Sequence, residues 1–357
     1  MGARLRIVLD QLVHVVDADQ AWAALDLTAG LVATAPTGCD VEAIVPAGGE
    51  ATVPGVAETR RLSLARRELA GSWQLGLVPG VGGGLIHSAS LMAPLVRHDR
   101  VHQNDQTTVT VWDLRAWEAP DTLPRSVVGW QRAMLRRAAK HADAVVVPTH
   151  SIGARLSELV KLGDRIRVIP GAAPHAFGVP SDAGERRRDL SVREGYVALT
   201  GSPASLTEGF RAAIAAGAEA VVLDAPEGSE PAVVEIGAAA GLAESRIHVR
   251  GPLERDDRAA LLAGAAVLVA TENVSAWPWR VLEAMTLGVP VVAVSSDSHS
   301  DVIVDGGVLA TVGDLADAAA DAAGGGARRL SVLAADRARA FSWQGAGERV
   351  WGLHADL

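Results

Sequence analysis

Between residues 265 and 294 the chain carries its most suggestive run of side chains: Ser275, Trp277, Pro278, Trp279 and Arg280, then Glu283, with Gly288 and Pro290 ahead of a valine-rich stretch. Glu283 follows a proline-bearing loop and is expected to open a helix. There its carboxylate can accept two hydrogen bonds from a ribose diol, while the helix N-terminus favours the negative charge of a diphosphate. The same carboxylate could be no more than a first-turn acid that complements the helix dipole. Gly288 and Pro290 are expected to end the helix. A second candidate is Gly201 with Ser202, where successive backbone N–H groups and a helix start could hold a phosphate without a cation. Arg250 and Arg280 are the cations that could reach it from other loops. Trp112 and Asp113 follow an expected strand; an indole donates one hydrogen bond and carries no titratable proton, so Asp113 is the acid–base group of the two. Trp112 could lie under a sugar or simply pack, and the same holds for Trp277 and Trp279. Asp301 is an acid in an expected loop, and His87, His150 and His299 read as loop or core histidines near strand ends.

These side chains must be positioned by a repeating framework. Short β-branched runs at 5–9, 41–46, 85–87, 107–111, 144–148 and 166–170 alternate with longer Ala- and Leu-rich stretches, the rhythm of a parallel sheet covered by helices on both faces. The rhythm restarts at 196–200, 220–223, 246–249, 266–270 and 290–294. The expected division is a first domain over 1–175, a polar linker over 176–195, a second domain over 196–340 and a final helix over 341–357 that returns to the first domain. Ligands of such sheets bind at the carboxyl ends of the strands, which places the expected site in a cleft between the halves. The Ala/Gly patch near 316–327 is expected to be a helix followed by a loop, and the glycines at 80–84 a flexible loop.

A length of 357 residues fits two domains of roughly 100–200 residues each. The net charge is −9 and the basic residues read as scattered, which argues against nucleic acid as a partner. No apolar run approaches the roughly 20 residues that cross a bilayer, and the first ten residues already read as a strand rather than a leader. A single cysteine, Cys39, excludes an internal disulfide and fits a reducing cytoplasm, and no Cys/His cluster has the spacing of a zinc site.

The segment from Ser275 through Glu283-Ala-Met, Gly288 and Pro290-Val-Val resembles the donor-site segment of the family 4 retaining glycosyltransferases. That pattern runs acid, seven residues, acid, Ala-Met, glycine, Pro-Val-Val. Residues 142–149 are similar to the last strand of that family's first domain, 168–171 to the start of its linker, and Phe341-Ser-Trp343 to the start of its C-terminal helix. The resemblance implies the GT-B fold: an α/β protein of two Rossmann-like domains facing a cleft. It also implies transfer of a sugar, with retention, from a nucleotide-diphosphate sugar to a glycan or lipid-linked acceptor, with no metal or other cofactor; peripheral membrane contact is compatible with such an acceptor. On this reading Glu283 holds the ribose, Gly201, Ser202 and Arg250 the phosphates, and Ser275 and Asp113 flank the sugar. Trp112, Trp277 and Asp301 then line the sugar or acceptor pocket.

Four positions depart from the family pattern. The first acid is Ser275. The basic pair after the first strand of the second domain is missing, since 201–209 holds Glu208 and no cation precedes Arg211. The histidine of a His-Asp pair is Trp112. The glycine loop after the first strand is replaced by residues 17–21, Asp-Ala-Asp-Gln-Ala. Two outcomes follow: a transferase whose leaving diphosphate is stabilised in another way, or a catalytically silent relative that binds a ligand or supports a partner.

Overall fold

The computed structural model describes residues 2–49, 52–99 and 102–357 and divides into two compact units. The first comprises Met1–His175, Ser275–Trp277 and Phe341–Leu357; the second comprises Ala176–Val274 and Pro278–Ala340.

The first unit is built on a seven-stranded, wholly parallel sheet of β1 (Arg4–Val8), β2 (Asp40–Val45), β3 (Glu58–Arg61), β4 (Leu85–Ser88), β5 (Gln106–Thr110), β6 (Ala144–Val147) and β7 (Ile166–Val168), in the order β3-β2-β1-β4-β5-β6-β7. Its helices include α1 (Ala18–Ala33), α2 (Arg66–Leu75), α3 (Arg115–Glu118), α4 (Arg125–His141) and α5 (His150–Leu159). Leu5 lies in register with Val41 on one side and Leu85 on the other, so β1 is central and its apolar run is covered on both faces. Trp73, Leu69, Met92, Leu95, Met134 and Leu135 fill one of those faces. Strand β3 was not expected: Glu-Thr-Arg-Arg has no apolar run. It survives as a sheet edge where Arg60 reaches the buried Glu42 (Nε to Oε1 2.8 Å).

In the second unit a six-stranded parallel sheet holds β8 (Tyr196–Thr200), β9 (Ala220–Val222), β10 (Ile247–Val249), β11 (Ala265–Ala270), β12 (Val291–Val294) and β13 (Val308–Ala310), in the order β10-β9-β8-β11-β12-β13. Its helices are α6 (Ala183–Asp189), α7 (Leu206–Ala215), α8 (Glu230–Ala239), α9 (Arg255–Gly264), α10 (Trp279–Thr286), α11 (Asp297–Ile303), α12 (Leu315–Ala323) and α13 (Ala327–Ala338). This is the Rossmann strand order. The stretch expected as a linker is not bare chain: α6 packs on α9, with Arg187 donating to the Ala260 carbonyl at 2.9 Å and Arg186 pairing with Asp257 at 2.7 Å.

The last helix, α14 (Trp343–Asp356), is capped by Ser342 and lies along α1 of the first unit. The two helices nearly touch at glycines: a Cβ on Gly347 would stand 2.6 Å from the Gly30 carbonyl carbon. The indoles of Trp351 and Trp343 donate to the carbonyls of Leu31 and Ala173 at 3.0 and 2.8 Å. Deeper in, His354 meets the sheet through a buried polar chain. His354 Nδ1 lies 2.7 Å from Gln106 Oε1, its Nε2 3.3 Å from Thr108 Oγ1, and Thr108 Oγ1 is 2.8 Å from His87 Nδ1. Because Gln106 Oε1 only accepts, His354 Nδ1 donates to it. Burial pulls His87 down to about 3 and His354 to about 4, which keeps both imidazoles neutral near pH 7.

Candidate functional site

In an open parallel sheet the ligand crevice forms where successive crossovers diverge, outside the carboxyl ends of the central strands. In the second unit that point falls between β8 and β11, and the chain there is built for close approach. Gly201 follows β8 with φ +155°, and a Cβ on it would stand 2.1 Å from Thr271 Oγ1 and 2.7 Å from Ser205 Oγ. Only glycine fits. Ser205 Oγ donates to the Ser202 carbonyl at 2.9 Å and lies 2.8 Å from Thr271 Oγ1, which in turn reaches the Thr200 carbonyl at 3.2 Å. The result is a knot of hydroxyls around Gly201 and Ser202 at the start of α7, polar but without formal charge. Arg211, one turn further on, is paired with Glu208 on the same helix.

One strand over, the site carries charge. Helix α10 begins at Trp279, so Glu283 lies in its second turn rather than opening it. Its carboxylate is 1% exposed and fully engaged: Arg258 Nε approaches both oxygens at 3.1 and 2.9 Å, Arg258 Nη2 lies 2.8 Å from Oε1, and Arg280 Nη1 lies 2.7 Å from Oε2. The expected open carboxylate for a ribose diol is thus corrected to the hub of an ion-pair network. Arg280, on the first turn of α10, also binds Asp224 Oδ2 through Nε at 2.6 Å. Asp224 follows β9 in a left-handed conformation (φ +57°), uncommon for a non-glycine residue, and its side chain is 33% exposed. Strands β8 and β9 are neighbours about 4.8 Å apart, so the Asp224–Arg280 pair and the hydroxyl knot both follow the carboxyl ends of adjacent strands. Arg250 is half-buried and spends its donors on the carbonyls of Leu190 and Val249, and burial lowers its pKa. On α11, His299 is buried with Nδ1 2.8 Å from the Val294 carbonyl, and Asp301 is helical, its carbonyl accepting from Arg337 at 2.9 Å.

The remaining expected residues gather in the first unit. Residues 275–277 run antiparallel to Trp112–Leu114: the N–H of Leu114 donates to the Ser275 carbonyl at 2.8 Å and that of Trp277 to the Trp112 carbonyl at 2.9 Å. Ser275 is clasped by Glu118, which accepts from its N–H at 2.8 Å and its hydroxyl at 3.1 Å while also pairing with Arg155 at 2.8 Å. Its hydroxyl is a cap and not an open sugar ligand. Trp112 and Trp277 are buried; the first donates to the Ala89 carbonyl at 2.7 Å and meets Trp343 edge-on, the second meets Phe341. Neither offers a ring face for a sugar to stack on. Asp113 closes a local turn by accepting from the N–H of Arg115 at 2.9 Å. The glycines at 80–84 are anchored as well, with the Gly84 N–H 2.5 Å from Asp105 Oδ1. Glu118, Arg258, Asp224, Ser205 and Thr271 were not singled out from sequence, because each acquires its meaning from a partner distant along the chain.

Residues 204–325 match the family model of the glycosyl transferases group 1. Among solved structures, sucrose-phosphate synthase from Thermosynechococcus elongatus superposes with a TM-score of 0.68 at 18% identity, covering 99% of this chain and 98% of that one. The Anabaena protein HepE in complex with UDP and glucose gives 0.67 at 16% identity, covering 99% and 100%. AviGT4, a glycosyltransferase involved in avilamycin A biosynthesis, gives 0.61 at 17% identity, covering 99% and 98%. No curated protein sequence matches the chain. The chain therefore has the GT-B fold, and the match to the group 1 glycosyl transferase model is confined to residues 204–325.

Proposed function

We propose that this protein is a retaining glycosyltransferase that takes its sugar from a nucleotide-diphosphate donor held on the second unit. The observation that carries the reading is the Arg280–Asp224 pair at the end of β9, the strand adjacent to the one that leads into Gly201. Arg280 is held by Glu283 on its inner side, so its guanidinium is fixed at the first turn of α10. It is the cation best placed to substitute for the basic pair that 201–209 lacks. Asp224 holds that cation until an incoming diphosphate replaces the carboxylate as its partner, and the N–H groups and hydroxyls at Gly201, Ser202 and Ser205 take the remaining phosphate oxygens. In the transfer step the bond from the anomeric carbon to the diphosphate breaks. An acceptor hydroxyl bonds to the same face of that carbon, and its proton passes to the departing phosphate oxygen. Stabilising the leaving charge is the main demand on the protein, and Arg280 supplies it. A glycan or lipid-linked sugar is the proposed acceptor. HepE, a structural relative, was crystallised with UDP and glucose, which makes UDP-glucose the first donor to try.

The test is thermal unfolding with millimolar UDP, GDP, ADP and their common sugar conjugates. A ligand at about 100 times its Kd adds roughly 2.7 kcal/mol, a shift of a few degrees. One nucleotide should shift the wild type, Arg280→Gln should lose the shift, and Asp224→Asn should keep or enlarge it. No shift with any of them overturns the proposal. A second reading, nucleotide binding without transfer, has its own support: Arg211, Arg250, Arg258 and Arg280 are each engaged by the protein itself. A thermal shift without consumption of the sugar nucleotide over hours would select it.

A further inference from the structure

The carboxyl ends of the first sheet hold a fixed charge of their own. In the order β3-β2-β1-β4-β5-β6-β7 the chain runs outward one way from β1 and the other way from β4, so the switch point of this unit lies between those two strands. Asp10, two residues beyond β1, stands there and is 4% exposed. From the β4 side Ser90 Oγ donates to its Oδ1 at 3.1 Å, and Arg66, the first residue of α2, donates from Nε to its Oδ2 at 2.9 Å. Burial raises the pKa of Asp10, and Arg66 is the charge that opposes the rise. Both sides of the point are pinned. Gln11 is buried, and its Oε1 accepts from the N–H groups of Val16 and Asp17 at 2.9 and 2.7 Å, which folds back the segment after β1. After β4 the Ser88 hydroxyl donates to the Met92 carbonyl at 2.8 Å, and Ser90 Oγ accepts from the Met92 N–H at 3.1 Å. Arg66 itself is held by one nitrogen. Its side chain is 19% exposed, and Nη1 and Nη2 reach solvent without a hydrogen-bond partner among the described residues. In the second unit, by contrast, Arg258 and Arg280 spend their donors on Glu283 and Asp224.

We propose that the two Nη groups of Arg66 bind an oxyanion, a phosphate ester or a carboxylate, on the molecule that receives the sugar, with Asp10 as the residue that positions the guanidinium. A guanidinium fixed through Nε has little rotamer freedom left to lose, and its outer pair of nitrogens matches two oxygens of either group. Among glycan and lipid-linked acceptors this selects those that carry such a charge. The anion site belongs to the first unit alone; calling its ligand the acceptor rests on the transferase reading.

Calorimetric titration of the full chain with glucose 6-phosphate, glucuronate and glucose tests this, since all three offer hydroxyls and only the first two offer the group Arg66 reads. The wild type should bind at least one anionic sugar about tenfold more tightly than glucose. The tighter of the two tells a phosphate ester from a carboxylate. Arg66→Gln should erase the preference. Asp10→Asn combined with Arg66→Gln, which leaves no lone buried carboxylate, should erase it at unchanged circular dichroism. Arg66→Lys keeps the charge without the fork and should hold glucose 6-phosphate better than glucuronate. A wild type without preference, or a preference that survives Arg66→Gln, overturns the proposal. So does a preference lost in Arg280→Gln instead, because the anion then occupies the second unit. If no nucleotide shifts the unfolding temperature while the Arg66-dependent preference holds, the transferase reading fails and the anion site stands.

Discussion

Around Glu283 the second unit buries one carboxylate and two guanidiniums, with the partly exposed Asp224 at their edge, whereas around His354 the first unit buries two imidazoles, two threonines and a glutamine. Both clusters lie against a parallel sheet. They differ in what can undo them. The charged cluster is intolerant of losing a buried member, since a lone buried charge has no compensation. The neutral one tolerates the loss of one weak hydrogen bond but not the arrival of a proton. The charged set lies at strand ends, where a ligand could rearrange it; the neutral set anchors a helix.

The largest expected effect is at the hub. Glu283→Ala leaves Arg258 and Arg280 buried with too little negative charge and should cost about 3–5 kcal/mol in urea unfolding. Adding Arg258→Met should recover part of that loss; if the double variant is worse than the single, the cluster is not organised around Glu283. Acid should act on the other cluster. The folded pKa values of about 3 for His87 and about 4 for His354 lie below the unfolded value near 6.5, so the unfolded chain binds protons first as pH falls. Stability is then complete well above pH 6.5 and declines below it, on the order of 5 kcal/mol by pH 4.5 for the two groups together. His354→Gln should flatten that decline, and a decline unchanged in the variant would assign it elsewhere. Gly201→Ala, which sets a methyl against Thr271 Oγ1, should cost about 1–3 kcal/mol, and Thr271→Ala should recover some of it. Asp224→Asn should change stability by no more than about 1 kcal/mol, because Asn accepts the left-handed backbone and the site is partly in water. A large loss would mean that the Arg280 pair is structural rather than exchangeable.

Most of the sheet framework could be read from sequence because buried parallel strands are continuous apolar runs, as at 144–147 and 265–270. Strands β3 and β13 escaped notice for opposite reasons: the first is polar because it is an edge, the second only three residues long. At the site, Gly201 and Glu283 stood out by type and spacing. What surrounds them did not. Glu283 finds Arg258 25 positions away, and Ser275 finds Glu118 157 positions away. Each of those pairs exists only once the βαβ crossovers have folded, and nothing local to either residue announces its partner. The tryptophans misled for a related reason, since an indole suited to a sugar is equally suited to a core.

The contact between α1 and α14 ties the first helix of the chain to the last. A ribosome making this protein releases α1 well before α14, with nearly all of the second unit emerging between them. The first sheet must wait, its Gly30 groove uncovered, until residues 343–356 have emerged. The second unit faces no such delay, since nearly all its chain has already emerged by then.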